Sequence, residues 1–304
     1  MKKLLILCFL LLFAAYTLPW GLRLFRGEPS DTVTLIIGSG ETVLPTEDYI
    51  YGVVAAEMPV SFEAEALKAQ AVAARSYMYA RLHSGRHNGK LCTDSGCCQA
   101  YADEKQLAAR WGAAYPFLSA KIKKAVNGTA GEYLSYGGAA AEAVFHASSY
   151  RRTEDSGALW YPLPYLVSVD TPETEESVPG LISTVIFSEE EFRERLEEVC
   201  PEAVFPEDAG EWIKSITKNE SGRTEQVQVA GISLSGTQLR SLFSLRSTAF
   251  ELRHEEGGFV LTVFGHGHGI GMSQYGANLM AENGAGYASI LAHYYPGTEL
   301  TVFH

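Results

Sequence analysis

The chain has 304 residues, and 46% of them are hydrophobic, which is enough to bury a sizeable core. This composition excludes a disordered protein and a small scaffold held together by disulfides. With 24 Lys and Arg against 36 Asp and Glu, the net charge is −12, so the chain lacks the basic field that collects phosphates, and we expect no nucleic acid partner.

The amino-terminal residues predict a membrane anchor. Two lysines precede an uncharged, mostly apolar run over residues 4–22, close to the roughly 20 residues that cross a bilayer as a helix. A cleaved signal peptide is the alternative, but no clear small-residue cleavage site follows the run. We expect a single-pass transmembrane helix at 1–22 in the cytoplasmic membrane, a linker at 23–32 and an extracytoplasmic body at 33–304. The charges flanking the run set this orientation only weakly.

The first part of the body predicts one strand and two helices. Alternating apolar residues followed by turn residues indicate a strand at 34–43. Thr46 and the acids after it are typical of a helix start, and this helix should run over 47–57 and end before Pro59. Ser61 should open a longer helix to about residue 82, because apolar residues recur at spacings of three and four.

The rest of the chain alternates helices and short strands less regularly. The patterns predict helices at 104–125, 188–199 and 273–283, and strands at 133–136, 143–146, 226–230 and 258–264. Ser188 and Glu191 form a capping-box pair. An acidic, proline-containing segment at 171–180 indicates an exposed loop or a boundary between two lobes. The fold class is therefore α+β, with mixed helices and short strands around a substrate cleft.

Glu57 is the first candidate for chemistry. It continues the apolar stripe of its helix, seven residues after Ile50, which directs the carboxylate toward the core or a cleft. Desolvation and the negative end of the helix dipole both disfavour the ionised form, so we expect a raised pKa and a carboxyl group able to act as a general acid. A glutamate at a helix end that simply reaches solvent is the common alternative.

Two cations follow Glu57 closely in the sequence. Lys68 and Arg75 are seven residues apart and therefore lie on one face of the second helix. They are candidates to hold an anionic substrate. A solvated helix face is the alternative.

Three of the five cysteines cluster in a predicted loop. Cys92, Cys97 and Cys98 follow His83 and His87, and four of these side chains could close a structural tetrahedral zinc site. A disulfide from Cys92 to Cys97 or Cys98 is the alternative in an oxidising compartment.

A glycine-rich segment at 265–277 carries two further histidines. His266 and His268 would share one face of a strand and are candidates for a metal, although no carboxylate lies close by in the sequence to complete a hydrolytic zinc site. A turn that lines a cleft is the alternative. The spacing fits neither a phosphate-binding loop nor a dinucleotide-binding motif.

Five segments resemble, in chain order, the motifs of the stage II sporulation protein D family. They are residues 49–59, which include Glu57, 65–77, which include Lys68 and Arg75, and 145–154, 239–248 and 267–277. The resemblance covers most of the chain, from about residue 33 to residue 300. So many long motifs in one order are not expected by chance.

The resemblance implies a membrane-anchored lytic transglycosylase that cuts peptidoglycan glycan strands while endospore-forming bacteria engulf the forespore. It also implies two protein partners, an amidase and a multi-spanning membrane protein. Glu57 stands at the position of the family's catalytic acid. Glycan stripped of its peptides carries free carboxylates, which cations of the chain would meet. The predicted substrate-binding residues are Lys68, Arg75, Tyr77, Ser148, Arg152 and Gln274.

The resemblance also bears on the cysteine loop. Family members that bind zinc use a His, Cys, His, Cys set, and Cys92 and Cys98 keep the spacing of its two cysteines. Cys97 stands where the second histidine would be, and Arg86 stands near the first, so His87 or His83 must substitute. The predicted metal ligands are Cys92, Cys97, Cys98 and His87, around a structural zinc ion.

Two other functions compete with this prediction. Related domains are amidase enhancers, so the chain could bind glycan and stimulate a cell-wall amidase without cutting. A zinc hydrolase centred on His266 and His268 is the third possibility, and it requires both histidines for activity.

Overall fold

The computed structural model describes residues 31–302. The predicted anchor at 1–22 and nearly all of the linker at 23–32 lie outside the described residues. Within 31–302, no helix combines the length and the apolar character that a bilayer crossing requires.

The body begins with a hairpin, where the sequence predicted one strand over 34–43. Strands β1 (Thr32–Ile37) and β2 (Gly40–Pro45) pair antiparallel. The prediction of a single strand is wrong because Gly38 adopts a positive φ of 59°, which turns the chain back on itself. The short strand β3 (Leu91–Cys92) joins the other side of β1 in parallel.

Two helices form the centre of the first lobe. Helix α1 spans Thr46–Glu57 and helix α2 spans Ala64–His83. Thr46 lies inside the first turn of α1, and Pro45 occupies the cap position that was predicted for Thr46. Helix α2 is buried on almost all sides because it packs against α1, the strand at 132–136 and three other helices, which are described next.

The remaining elements of the first lobe enclose α2. Helices α3 (Glu104–Trp111) and α4 (Tyr115–Asn127) divide the single helix predicted at 104–125. The sheet formed by β4 (Glu132–Tyr136) and β5 (Ala139–Ala140), and the short strand β6 (Phe145–His146), follow. Helices α2 and α4 pack directly against each other.

A second hydrophobic core lies within residues 187–263. Its elements are β7 (Ile182–Ser188), α5 (Glu189–Val199), β8 (Ile213–Lys218), β9 (Thr224–Val229), β10 (Ile232–Ser235), α6 (Gly236–Leu242), β11 (Phe250–Glu255) and β12 (Gly258–Phe264). They form two three-stranded sheets, ordered β10-β9-β8 and β11-β12-β7. The rings of Phe192, Trp212, Phe243 and Phe259 stack at the centre of this lobe. The predicted capping box of Ser188 and Glu191 begins α5.

The chain then returns to complete the first lobe. Strand β13 (Met272–Ser273) pairs in parallel with β6, and helices α7 (Gln274–Glu282) and α8 (Tyr287–Tyr294) pack against α2. Strand β14 (Glu299–Val302) pairs with β4. The described residues therefore form a mixed α+β fold, as the sequence predicted, with the ends of the described chain in one lobe.

Candidate active site

Glu57 is the last residue of α1 and is half-buried. Its Oε1 accepts a hydrogen bond of 2.8 Å from the backbone N–H of Ala100. Burial raises the pKa of the Glu57 carboxyl group, and the bond from Ala100 offsets only part of that effect. The structure thus shows a carboxyl group whose surroundings favour the protonated form, as the sequence predicted.

The loop that follows the cysteines is fixed against α1. The backbone N–H of Ala102 donates to the carbonyl of Gly52, and Gln99 Nε2 donates to Tyr49 Oη. Gly52 allows this close approach, because a Cβ atom there would collide with the ring of Tyr101 and lie 2.9 Å from the carbonyl oxygen of Ala102. The same loop therefore carries the cysteines at one end and the hydrogen-bond donor to Glu57 at the other.

The four predicted metal ligands come together. The ligand atoms of His87, Cys92, Cys97 and Cys98 all lie within 4.8 Å of one another. His87 Nε2 is 3.1 Å from Cys97 Sγ, and the backbone N–H of Cys92 is 3.4 Å from Cys98 Sγ. His83, the other histidine considered, instead places Nδ1 2.6 Å from the carbonyl oxygen of Tyr79.

This donor set fits zinc. Zn–S bonds of about 2.3 Å in a tetrahedron place ligand atoms roughly 3.8 Å apart, which small side-chain shifts would reach from the observed arrangement. All three cysteines of the cluster are free thiols. Burial raises the pKa of Cys98 to about 12, so a metal cation would be needed to hold that sulfur as a thiolate at neutral pH.

Arg75 is not where the sequence prediction requires it. The side chain is fully buried, Nε and Nη2 donate to the two carboxylate oxygens of Glu47 at 3.0 and 2.6 Å, and Nη1 donates to the carbonyl of Glu132 at 2.7 Å. A guanidinium without exposed surface cannot meet a substrate, so its predicted contact is corrected to a structural ion pair. The spacing of seven residues correctly places Lys68 and Arg75 on one side of the helix, but it does not show that almost no face of α2 is solvated.

Lys68 is partly exposed and has protein partners. Its Nζ lies 2.7 Å from Glu65 Oε1 and 5.5 Å from the centre of the Tyr287 ring. Lys68 therefore keeps an accessible charge, and its contact with substrate stays a prediction.

The other four predicted substrate residues are spread over the first lobe. Tyr77 is buried on α2 and accepts a hydrogen bond from Arg81 Nε. Gln274 is buried at the start of α7, with Nε2 3.4 Å from Gln70 Oε1. Ser148 is buried and pairs through its backbone with His266, whereas Arg152 is exposed beside Asp170. Of these four, Arg152 alone is exposed.

The two histidines of the glycine-rich segment do not form a metal site. His268 Nδ1 accepts from the backbone N–H of Ile270, and its ring is 5.7 Å from that of His146. Burial lowers the pKa of His268 to about 4 and also lowers that of His266. Within residues 31–302, the cysteine cluster is the one group of three or more ligand side chains close enough to hold a metal ion, so a zinc hydrolase centred on these histidines has no support.

A buried polar network was not predicted. Glu173, in the acidic segment expected to be an exposed loop or a boundary, is only 4% exposed and accepts bonds from the backbone N–H of Ser149 and from Ser273 Oγ. The Ser149 hydroxyl also bonds His146 Nε2 at 2.6 Å and Arg223 Nη2 at 3.1 Å. Burial raises the pKa of Glu173 to about 7. The acidic residues around Glu173 indicate an exposed segment, so the sequence alone does not predict that Glu173 is buried.

Arg223 joins the two lobes at this network. It follows the turn between β8 and β9, lies against the backbone at Gly269, and is 3.8 Å from Glu154 Oε2. The same Glu154 oxygen accepts hydrogen bonds from Asn219 and Ser221 of that turn. The second lobe therefore inserts one turn into the polar core of the first.

The part of the chain that contains Glu57 and the cysteine loop matches one family of proteins. A family model described as Stage II sporulation protein matches residues 41–136, which contain α1, α2 and that loop. The chain belongs to the stage II sporulation protein D family, and the resemblance seen in the sequence is confirmed.

Individual relatives agree over most of the chain. Stage II sporulation protein D of Bacillus amyloliquefaciens is 39% identical over 265 residues, covering 85% of this chain and 74% of the relative. The protein of that name from Bacillus subtilis (strain 168) is 36% identical, covering 85% of this chain and 75% of the relative. A Bacillus subtilis (strain 168) protein named amidase enhancer is 27% identical, covering 83% of this chain and 40% of that protein.

Proposed function

We propose that the protein is a peptidoglycan lytic transglycosylase with Glu57 as its catalytic residue. The observation that supports this proposal is the half-buried Glu57 carboxyl group with its raised pKa. Family membership supports a role in sporulation, and one relative is named amidase enhancer.

One carboxyl group is sufficient for the proposed reaction. A glycosidase that uses water needs two carboxyl groups around the bond, whereas an internal hydroxyl can serve as the nucleophile in a lytic reaction. Burial is the main cause of the raised pKa of Glu57, so this carboxyl group can serve as the acid without a second carboxyl group beside it.

The steps follow from that chemistry. Protonated Glu57 donates its proton to the oxygen that links C1 of N-acetylmuramic acid to N-acetylglucosamine, and the C1–O bond breaks. The Glu57 carboxylate then takes the proton of the muramic acid 6-hydroxyl, and O6 bonds to C1. The products are a free N-acetylglucosamine 4-hydroxyl and a 1,6-anhydro-muramyl end, no water is consumed, and Glu57 regains its proton.

Zinc at His87, Cys92, Cys97 and Cys98 is proposed as structural. The ion would hold the cysteine loop closed, and through that loop the backbone of Ala100 that bonds Glu57. It would take no part in the bond cleavage.

The setting is proposed from the family. The protein would act on peptide-stripped glycan outside the cytoplasmic membrane, tethered by its amino-terminal segment, during engulfment of the forespore. A sporulation amidase and a multi-spanning membrane protein would be its partners. The amidase would supply the substrate, since it removes the stem peptides.

Glu57→Gln tests the catalytic role. The amide is isosteric but cannot donate the required proton, so we expect the yield of anhydro-muramyl products from peptide-free glycan, measured by mass spectrometry, to fall about 10²- to 10⁴-fold. The thermal midpoint should change little. Glu63→Gln, at an exposed glutamate six residues further along the chain, is the matched control and should cleave like wild type. Undiminished cleavage by Glu57→Gln would disprove the role.

The alternative is a non-catalytic amidase activator. The amidase-enhancer relative favours it as the second candidate. It predicts that wild type releases no anhydro-muramyl product while still raising the activity of a cell-wall amidase, and that Glu57→Gln raises that activity equally well.

A further inference from the structure

The exposed aromatic side chains of the first lobe are concentrated in one place. Among the described residues, four aromatic side chains are exposed, and three of them, Tyr136, Trp160 and Tyr161, lie in the first lobe. Tyr161 bonds Glu142, Trp160 precedes Tyr161 in the chain, and Tyr136 is linked to Glu142 through Tyr165. The fourth, Phe117, is on α4. Trp160 and Tyr161 are 50% and 52% exposed. We call Tyr136, Trp160, Tyr161 and Glu142 the aromatic patch.

The segment that presents the two neighbouring rings is held firmly. Ser156 makes three hydrogen bonds within the segment. Its carbonyl accepts from the backbone N–H of Trp160 at 2.8 Å, and its hydroxyl accepts from the backbone N–H of Leu163 at 2.8 Å. The backbone N–H of Ser156 donates to the carbonyl of Leu166 at 2.9 Å. Two prolines, at 162 and 164, restrict the backbone further. The rings are therefore positioned before any ligand arrives, which lowers the entropy cost of binding.

Charged side chains lie beside the rings of the aromatic patch. The Tyr161 hydroxyl is 2.7 and 2.8 Å from the two carboxylate oxygens of Glu142, and the backbone N–H of Glu142 donates to Tyr165 Oη, whose ring lies 5.1 Å from that of Tyr136. Desolvation of the hydroxyl and the Glu142 charge raise the pKa of Tyr161 to about 12, with nearby Arg81 acting in the opposite sense. The phenol therefore keeps its proton and donates it to Glu142, which fixes that carboxylate beside the exposed ring faces.

The patch lies next to the glycine-rich segment and to the last turn of α2. The Trp160 ring is 5.3 Å from that of His268 in the glycine-rich segment. Arg81, on the other side, donates to the hydroxyl of Tyr77 and lies 4.8 Å above the Tyr77 ring. The aromatic patch thus connects the glycine-rich segment to the surface of α2.

We propose that the aromatic patch is a saccharide-binding subsite that stacks a hexopyranose ring of the glycan on Trp160 and Tyr161. The axial C–H groups of a pyranose form an apolar face that matches an exposed ring, while its equatorial hydroxyls need the fixed donors and acceptors that Glu142 and Arg81 supply. The choice of ligand rests on the proposed function. We expect this subsite to act on the affinity for glycan.

The test separates binding from cleavage. Full-length protein carrying Glu57→Gln, so that the ligand is not cut, is sedimented with insoluble peptide-free glycan strands, and the bound fraction gives the affinity. Trp160→Ala and Tyr161→Ala should each weaken binding about three- to tenfold, and Trp160→Phe should keep most of it. Phe117→Ala, which removes an exposed ring outside the patch, is the matched control and should bind like the parent. Thermal midpoints confirm that every variant is folded.

The other outcomes overturn the proposal. They are unchanged affinity in Trp160→Ala, an equal loss in Phe117→Ala, or no binding of glycan by the parent. A fall in amidase stimulation without a fall in glycan binding would assign the patch to a protein partner and would also overturn the proposal.

The same experiment tells the two proposals apart. If wild type cuts no glycan but Trp160→Ala still loses binding, the catalytic proposal fails and the subsite stands. If Trp160→Ala binds glycan normally and wild type cuts it, the subsite proposal fails and the catalytic proposal stands.

Discussion

At the scale of single residues, burial sets the ionisation of two carboxyl groups that serve different purposes. Glu57 ends a helix, is half-buried and accepts one backbone hydrogen bond. Glu173 is nearly fully buried and accepts bonds from Ser149 and Ser273. Desolvation raises the pKa of both groups. Only Glu57 combines this shift with accessible surface, which is why the proposed acid is Glu57.

Glu173 predicts a pH dependence of stability. Its pKa is about 7 in the folded protein against an ordinary 4.5, so the folded state binds the proton more tightly than the unfolded state. The free energy of unfolding should therefore fall as pH rises from about 4.5 to about 7, by at most about 3 kcal/mol, and should not change further through this group above that range.

Denaturant unfolding of wild type and Glu173→Gln at pH 5 and pH 8 measures this effect. The glutamine keeps an acceptor for Ser149 and Ser273 but does not titrate, so its loss of stability between the two pH values should be smaller than that of wild type. An equal loss in both proteins would show that Glu173 is not the group responsible.

At the scale of elements, the loop over residues 91–102 is the part that links two sites. Its beginning carries the cysteines, and its end is bonded to α1 at Gly52 and Glu57. A metal held by the cysteines would therefore restrain the backbone N–H of Ala100 that bonds Glu57.

Metal removal tests this linkage. If zinc is bound, a strong chelator should lower the thermal midpoint by roughly 5–10 °C, and added zinc should restore it. Cys97→Ser should lower the zinc content of the purified protein, whereas Cys200→Ser, outside the cluster, should keep it at one per chain. A Cys97 or Cys98 disulfide to Cys92, detected as a mass loss of two hydrogens with no effect of the chelator, would contradict the zinc proposal.

Elements with strong local signals were predictable from the sequence. The strand at Gly258–Phe264 and the capping box at Ser188 were predicted as observed, because β-branched residues and cap hydrogen bonds act over a few residues. The alternation over 34–43 predicts one strand where the structure has the hairpin of β1 and β2, because the turn at Gly38 interrupts no apolar pattern. Periodicity places Arg75 on an open face, but long-range packing, which periodicity does not contain, covers almost every side of α2.

The same distinction applies to the candidate site. Glu57 and the cysteine cluster could be found because their signals lie within one helix and one loop. Glu173 and Arg223 could not, since each is buried by parts of the chain that are distant in sequence. The aromatic patch also depends on tertiary contacts, here between residues near 136, 142 and 160.

At the scale of the whole molecule, the two lobes share a buried ion pair. Arg223 of the second lobe is 2% exposed and faces Glu154 of the first, which is 3% exposed. Asn219 and Ser221 add hydrogen bonds to Glu154 from the same turn. The lobes are therefore coupled through charge as well as through their covalent connections.

A double-mutant cycle measures that coupling. Arg223→Ala leaves the Glu154 carboxylate buried without its cation and should lower the free energy of unfolding by about 3–5 kcal/mol. Glu154→Gln removes the charge, so adding Arg223→Ala to it should cost at least about 1 kcal/mol less than in wild type. Additive effects in denaturant unfolding would mean that the two side chains do not interact energetically.

The burial of α2 has a consequence for how the protein reaches this structure. Helix α2 is made early in synthesis, yet α7 and α8, which cover it, lie near the carboxyl end of the described chain. Until those last helices have been translated, one side of the central helix remains uncovered and apolar. The core of the first lobe therefore closes only after the residues of the second lobe have been synthesised, although α2 itself comes early in the chain.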